Sequence, residues 1–384
     1  MRRRAVVTLL AVVGFRIVQV LPVVGAHPAA ARDFAASTRT DPLYGLGELL
    51  TGGGLLRLSY APFGVLPIWL GSLLLGVATP LIPRVAALAA EGAAGRRLLN
   101  RYIRVPAVLC GAGLGGWLVA FAAGRHLVDG DPVPVLCMTA GTVLAMALAE
   151  LISARGLGDG LAVLMLVQFL AVLPGQIEEL WTSSGWAAGT VVVALLVLLV
   201  ALTHLLRQAE RRVPVQYAKR LIGRRPFGFT ATYLPVTFAR TGLTAASVAL
   251  LLSLPALVTP NWLSSPWYVV AFAVLTLACT AFGAAAAFDP EQLADQLKRY
   301  GAFIPGIRSG RPTAEYLAYV HSRLTSTGAL AATALATTPF LALDLLTTPT
   351  HHPLTATGLL LTAATTTWAA TSLKRQRTQP ADFA

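Results

Sequence analysis

Charge is scarce in this chain. Asp, Glu, Lys and Arg make up 12% of its 384 residues, about half the share of a soluble domain and too little to cover a water-facing surface. Paired cysteines are lacking as well. Cys110, Cys137 and Cys279 lie singly in apolar stretches, which argues against a disulfide framework or a cysteine zinc site. Lysine is nearly absent: Lys219, Lys298 and Lys374 stand alone among many arginines, a bias that fits a GC-rich genome. There is no HExxH, no Ser-His-Asp set and no phosphate-binding glycine loop. His27, His126, His204 and His321 are scattered, and His351-His352 adjoin in a short loop. No catalytic residue, metal ligand or cofactor is therefore expected.

What the chain has in abundance is apolar sequence. Hydrophobic residues account for 55% of it, gathered in blocks close to the ~20 residues that a helix needs to cross ~30 Å of hydrocarbon. Hydropathy predicts membrane segments near 5–24, 62–82, 105–124, 133–153, 159–174, 187–206, 237–258, 267–287, 327–346 and 354–372. The expected fold is an all-α membrane protein of ten transmembrane helices. The start, Met1-Arg-Arg-Arg and an apolar run, resembles a signal peptide, but the run is long and is interrupted by Arg16. It reads better as a first transmembrane helix.

Net charge is +13, which in a soluble protein would point to nucleic acid. Its distribution favours topology instead. With the N-terminus in the cytoplasm, 24 of the 30 Lys and Arg residues fall in cytoplasmic stretches, as the positive-inside rule requires. Arg32, Arg39, Arg57 and Arg125 lie outside, and Arg16 and Arg240 fall within segments. Both termini are thus expected in the cytoplasm. Two cytoplasmic loops, 207–236 and 288–326, are long for a compact membrane protein and rich in basic residues, which favours docking over simple topogenic charge.

These loops also carry a family resemblance. The stretches RQAERRVPVQYAKRLIGRRPFGFTATYLPV (207–236) and FDPEQLADQLKRYGAFIPGIRSGRPTAEYLAYVHSRLT (288–325) resemble the two long cytoplasmic loops of the SecY/Sec61-alpha family. FRIVQVLPVVG (15–25), EGAAGRRLLNRY (91–102) and GTVLAMALAELISARGLGDG (141–160) match in the same order. The resemblance implies a protein-conducting channel subunit of the Sec translocon in the bacterial plasma membrane. It would pass unfolded preproteins across the bilayer and release membrane segments laterally into it. Two inverted five-helix halves would surround a central pore: residues 1–174, and 175–372 with a short tail at 373–384. The implied partners are SecE-like and SecG-like membrane subunits, a SecA-type motor ATPase or the ribosome, preproteins, and lipid.

Site residues follow from the same resemblance. Residues 43–60 correspond to a half-inserted plug, in which Gly52, Gly53 and Gly54 let the backbone bend and Arg57 follows. Trp69, Met165, Ser247 and Leu361 fall at positions of the apolar pore ring, which excludes ions because an apolar neck resists wetting. The anchors for the first two are Gly64 to Pro67 and Gly156 to Gly160. Arg211, Arg212, Lys219, Arg220, Arg224, Arg225 and Arg308 fall on the docking loops, where ribosomal RNA phosphate or lipid headgroups could meet their charge. Arg240 and Gly242 lie in the helix that forms part of the lateral gate.

Some positions depart from the family pattern. Ala239 and Ala245 replace an Asn and a Pro, Arg240 enters a segment where it would have to snorkel, and bulky Trp69 would narrow the neck. The departures point to a divergent or accessory copy. A small-solute secondary transporter is the alternative, disfavoured because paired ionisable residues at mid-membrane are lacking: Glu150 and Asp344 lie near segment ends.

Overall fold

The computed structural model describes residues 2–38, 42–55, 57–82, 85, 88, 102–208, 210–217, 220–222, 225–227, 232–237, 265–299, 301–346 and 352–378. Two compact units emerge: Met1–Gly189 with Thr365–Ala384, and Thr190–Ala364.

In the first unit, α1 (Arg2–Val20) is followed by two short helices, α2 (Pro28–Thr38) and α3 (Pro42–Thr51). Longer helices α4 (Leu66–Leu81), α5 (Arg104–Ala123) and α6 (Val133–Arg155) come next, then α7 (Gly160–Leu170) and α8 (Leu173–Ser184). α9 (Trp186–Gln208) leads into the second unit. Among the described residues, Arg104–Ala123, Val133–Arg155, Gly160–Glu178, Gly189–Leu206 and Arg311–Leu345 are long and apolar enough to cross a membrane. Helices also occupy the other predicted segments, apart from 237–258. That span lies outside the described residues but for Thr237, which ends a strand.

Close helix approach depends on small side chains. A Cβ on Gly71 of α4 would stand 2.8 Å from the backbone nitrogen of Ala107 on α5. One on Gly111 of α5 would stand 2.7 Å from the Thr142 hydroxyl on α6. In lipid, where apolar side chains gain little by leaving the solvent, such tight backbone packing is a main source of helix association. At one end of the unit the turn Gly156–Asp159 is tied to two other helices. Leu157 N donates to Thr8 Oγ1 of α1 at 2.9 Å. Gly158 N and Asp159 N donate to Gln376 Oε1 and Ser372 Oγ, at 2.9 and 3.0 Å. Asp159 then caps α7, accepting from Leu161 N at 3.1 Å, as a helix N-terminus needs.

The second unit holds α10 (Pro266–Ala287), α11 (Pro290–Arg299), the long α12 (Arg311–Leu346) and the first part of α13 (His352–Thr378), as far as Ala364. α10 packs on α12 through aromatic rings, with Phe340 4.8 Å from Phe272 and 5.8 Å from Tyr268 between centroids. Instead of starting at the predicted 327, α12 begins at Arg311, so the last part of the second loop is the first part of one continuous helix.

The first loop differs more. It is not irregular: β1 (Glu210–Tyr217) pairs antiparallel with β4 (Thr232–Thr237), in the register Arg212↔Pro235 and Val213↔Leu234. β2 (Arg220–Ile222) and β3 (Arg225–Phe227) form a second hairpin between them, and β5 (Ala302–Phe303) adds to β1. The alternation in RRVPVQY explains the sheet. Val213 and Val215 are buried against Val236, Leu297, Ile304 and Leu317, while Arg212, Pro214 and Gln216 point out, the period-2 pattern of a half-buried strand. α11 covers this core with Ala294 and Leu297. Its start is capped by Asp289 Oδ1, which accepts from Glu291 N and Gln292 N at 3.0 and 3.1 Å.

Candidate functional site

Between α1 and α4 the chain does not run straight. α3 folds back into the first unit, and the following residues return alongside the end of α1. Val23 N donates to Leu58 O at 2.8 Å and Tyr60 N to Leu21 O at 3.1 Å. Leu49 and Leu58 are fully buried. The expected plug region thus contains a ten-residue helix followed by turns. Gly52 and Gly53 adopt positive φ, 67° and 78°, which L-residues tolerate poorly. Gly54 is buried beside them and Arg57 is exposed.

A cluster of polar side chains meets this re-entrant segment. Gln19 of α1 and Gln168 of α7 are 1% and 2% exposed. Gln168 Oε1 accepts from Val65 N at 2.9 Å and from Gln19 Nε2 at 3.5 Å. Gln168 Nε2 donates to Leu50 O, and Gln19 Nε2 to Thr51 O at 3.4 Å. Arg16 Nη1 donates to Gln19 Oε1 at 2.7 Å and to Gly52 O at 3.4 Å. A buried amide without partners is costly, and these amides find theirs largely in the backbone of this segment. Sequence reading singled out Arg16 only as an interruption and passed over both glutamines. The signal was there, since a lone Gln in VLMLVQFL must find a partner.

The candidate ring residues are distributed over the two units. Trp69 is half-buried on α4 and Met165 is buried on α7, one turn before Gln168, both in the first unit. Leu361 is buried on α13 in the second. Ser247, Arg240 and Gly242 lie outside the described residues.

The candidate docking residues gather on the polar subdomain of the second unit. Arg211 and Arg212 are exposed on β1, and the Arg212 guanidinium lies over the Tyr233 ring at 4.8 Å, a cation–π geometry. Arg308 is exposed in the turn between β5 and α12. Its carbonyl accepts from Thr313 Oγ1 at 2.8 Å, and Gly306 and Gly310 flank it with positive φ. The turn is thereby fixed while the guanidinium stays free to meet a partner. β5 joins β1 at Gln216↔Phe303, so both groups of arginines ride on one sheet. Arg220 and Arg225 sit on the β2–β3 hairpin, opposite Phe227 and Ile222. Lys219 and Arg224 lie outside the described residues.

The SecY family profile matches residues 59–368. The chain belongs to the SecY family. Protein translocase subunit SecY of Streptomyces galbus is 35% identical over 94% of this chain and 91% of its own length. SecY of Mycobacterium tuberculosis is 33% identical over 90% and 87%. In fold, the chain is similar to a solved SecY described for a plug domain that stabilises the closed state of its channel. The TM-score there is 0.61 at 14% identity, covering 98% of this chain and 92% of that one. Sec61 in a canine ribosome–channel complex scores 0.58 at 10% identity, with 98% and 93% covered. SecY proteins are protein-translocation channel subunits of membranes and not an enzyme family, and membership does not favour the small-solute transporter. The acid that a transporter reading would weigh first, Glu150, is committed to a two-hydrogen-bond ion pair with Arg104, both at 2.8 Å.

Proposed function

We propose that the chain conducts unfolded preproteins across the bacterial plasma membrane and releases apolar segments sideways into the bilayer. Both termini face the cytoplasm. Two inverted halves, 1–174 and 175–372, hinge between the fifth and sixth spans. Trp69, Met165, Ser247 and Leu361 form the apolar neck, residues 43–60 close it, and the segment with Arg240 and Gly242 belongs to the lateral gate. SecE-like and SecG-like subunits complete the assembly. The single observation that carries the reading is the re-entrant segment. A helix too short to span buries Leu49 and Thr51 in the unit that also holds Met165, which suits a removable seal better than a loop on the surface.

The arginines on the β1–β4 sheet, on the β2–β3 hairpin and at Arg308 supply the docking face for a SecA-type motor or the ribosome. Bulky Trp69, Ala239 and Ala245 in place of an Asn and a Pro, and Arg240 within the segment fit a divergent or accessory copy with a restricted set of substrates. Purification from native membranes with identification of what co-purifies tests the assembly. A SecE-like subunit in stoichiometric amount supports it, and a stable solitary chain contradicts it.

A further inference from the structure

We propose that Arg16, Gln19 and Gln168 form a hydrogen-bond latch that holds the re-entrant segment in its closed position and so sets how readily the channel opens. The inference rests on the plug reading above. It adds which residues hold the plug and by what bonds.

Three features carry it. First, the bonds run from two different helices, α1 and α7, to three consecutive residues at the end of α3: Leu50 O, Thr51 O and Gly52 O. Those carbonyls lie at and just past a helix end, where intrahelical partners run out; Thr51 O also accepts from Gly54 N at 3.4 Å, and the side-chain donors supply further bonds. Second, the fit is close. A Cβ on Gly52 or on Gly64 would run into the Gln168 side chain, so glycine on both sides lets the amide reach in. Third, the node lies deep. Thr8 of α1 meets the turn that leads into α7, and Gln19 lies eleven residues beyond Thr8 in α1, Gln168 eight residues beyond Gly160 in α7. Eight to eleven residues of helix rise ~12–16 Å, approaching half of a ~30 Å hydrocarbon layer. At that depth no water replaces a broken bond, so the plug backbone and the two amides satisfy one another or stay costly.

The same arrangement makes the latch reversible. The bonds named above join neutral amides, a guanidinium and backbone carbonyls. When a polypeptide enters the pore and displaces α3, the freed amides of Gln19 and Gln168 can bond to each other, as they already do at 3.5 Å, and to Arg16 through Gln19. Opening is therefore costly without being prohibitive. Gln168 follows Met165 by one helical turn, so a chain pressing on the neck at Met165 bears on the helix that carries the latch. These are positioning residues: they act on the seal and do not contact the substrate in the closed state.

The test is ion leak through proteoliposomes holding the full chain, purified with its co-purifying subunits. Loss of two such bonds shifts an equilibrium by roughly tenfold or more, so Gln168→Ala should raise leak about tenfold. Gln19→Ala should do the same and serves if Gln168→Ala does not accumulate. A chain lacking α3, or carrying Leu49→Asp where the deletion does not accumulate, measures the plug reading itself and should leak strongly. The deciding arm is Gln168→Ala in that plug-disrupted background, where it should add nothing. A leaky plug-disrupted channel with tight Gln168→Ala and Gln19→Ala variants overturns the latch and leaves the plug standing. An equal increase from Gln168→Ala in both backgrounds also overturns it, since general loosening of the bundle would act in that way. A plug-disrupted channel that stays tight removes the plug and the latch together.

Discussion

Arg104 and Glu150 join α5 to α6 by a bidentate ion pair, with Nε and Nη2 donating to Oε1 and Oε2 at 2.8 Å each. Both side chains are about half exposed. Arg104 opens its helix and Glu150 lies near the end of the other, which places the pair toward a bilayer boundary. Paired, the two charges present a neutral, planar unit to that boundary. Alone, either must find headgroups or water.

This predicts a compensated double mutant. Arg104→Ala and Glu150→Gln should each lower the unfolding midpoint in detergent, by no more than ~1 kcal/mol given the exposure. The double variant should recover part of the loss. Thermal unfolding of the four proteins checks it, and strictly additive losses would refute the coupling.

Gly71 predicts a steric limit. Alanine there would place its Cβ 2.8 Å from Ala107 N, a backbone atom that cannot rotate away. Gly71→Ala should force α4 from α5 and cost ~1–3 kcal/mol, the usual range for overpacking. Replacing Gly113, whose Cβ would meet nothing within 4 Å, should have little effect. Comparing the two midpoints settles it.

The polar subdomain predicts a separation of stability from docking. Leu317 is fully buried in the sheet–helix core, so Leu317→Ala should cost ~2–5 kcal/mol and expose the hairpins to limited proteolysis. Arg308→Glu and Arg211→Glu, on exposed sites, should leave proteolysis unchanged. They should weaken binding to ribosomes or to a SecA-type motor at least tenfold, an effect that shrinks as salt rises. Unchanged binding by both would move the docking face elsewhere.

Much of the membrane fold was legible in sequence because hydrocarbon allows little else: long apolar runs become helices. Outside the hydrocarbon that constraint disappears, and reading becomes harder. The sheet at Val213 and Val215 was written in a strict alternation, yet seven basic residues in the loop drew attention to charge first. Helices α2 and α3 each begin at a proline, Pro28 and Pro42, a good first helical residue, but both are too short for hydropathy to detect. The glutamine node was hidden for a different reason. Gln19 and Gln168 are 149 positions apart, and no local pattern tells two lone amides that they meet. The lesson is general for membrane chains: an isolated amide in an apolar run signals an unseen partner.

The most direct test of the channel assignment is preprotein translocation by the purified assembly in proteoliposomes, with a SecA-type motor and ATP supplied outside. The account predicts that a preprotein becomes protected from added protease in an ATP-dependent way, and that Met165→Arg, which sets a charge in the proposed neck, disrupts the seal. No protection, in vesicles where a SecY complex from the same host protects the same preprotein, would contradict it.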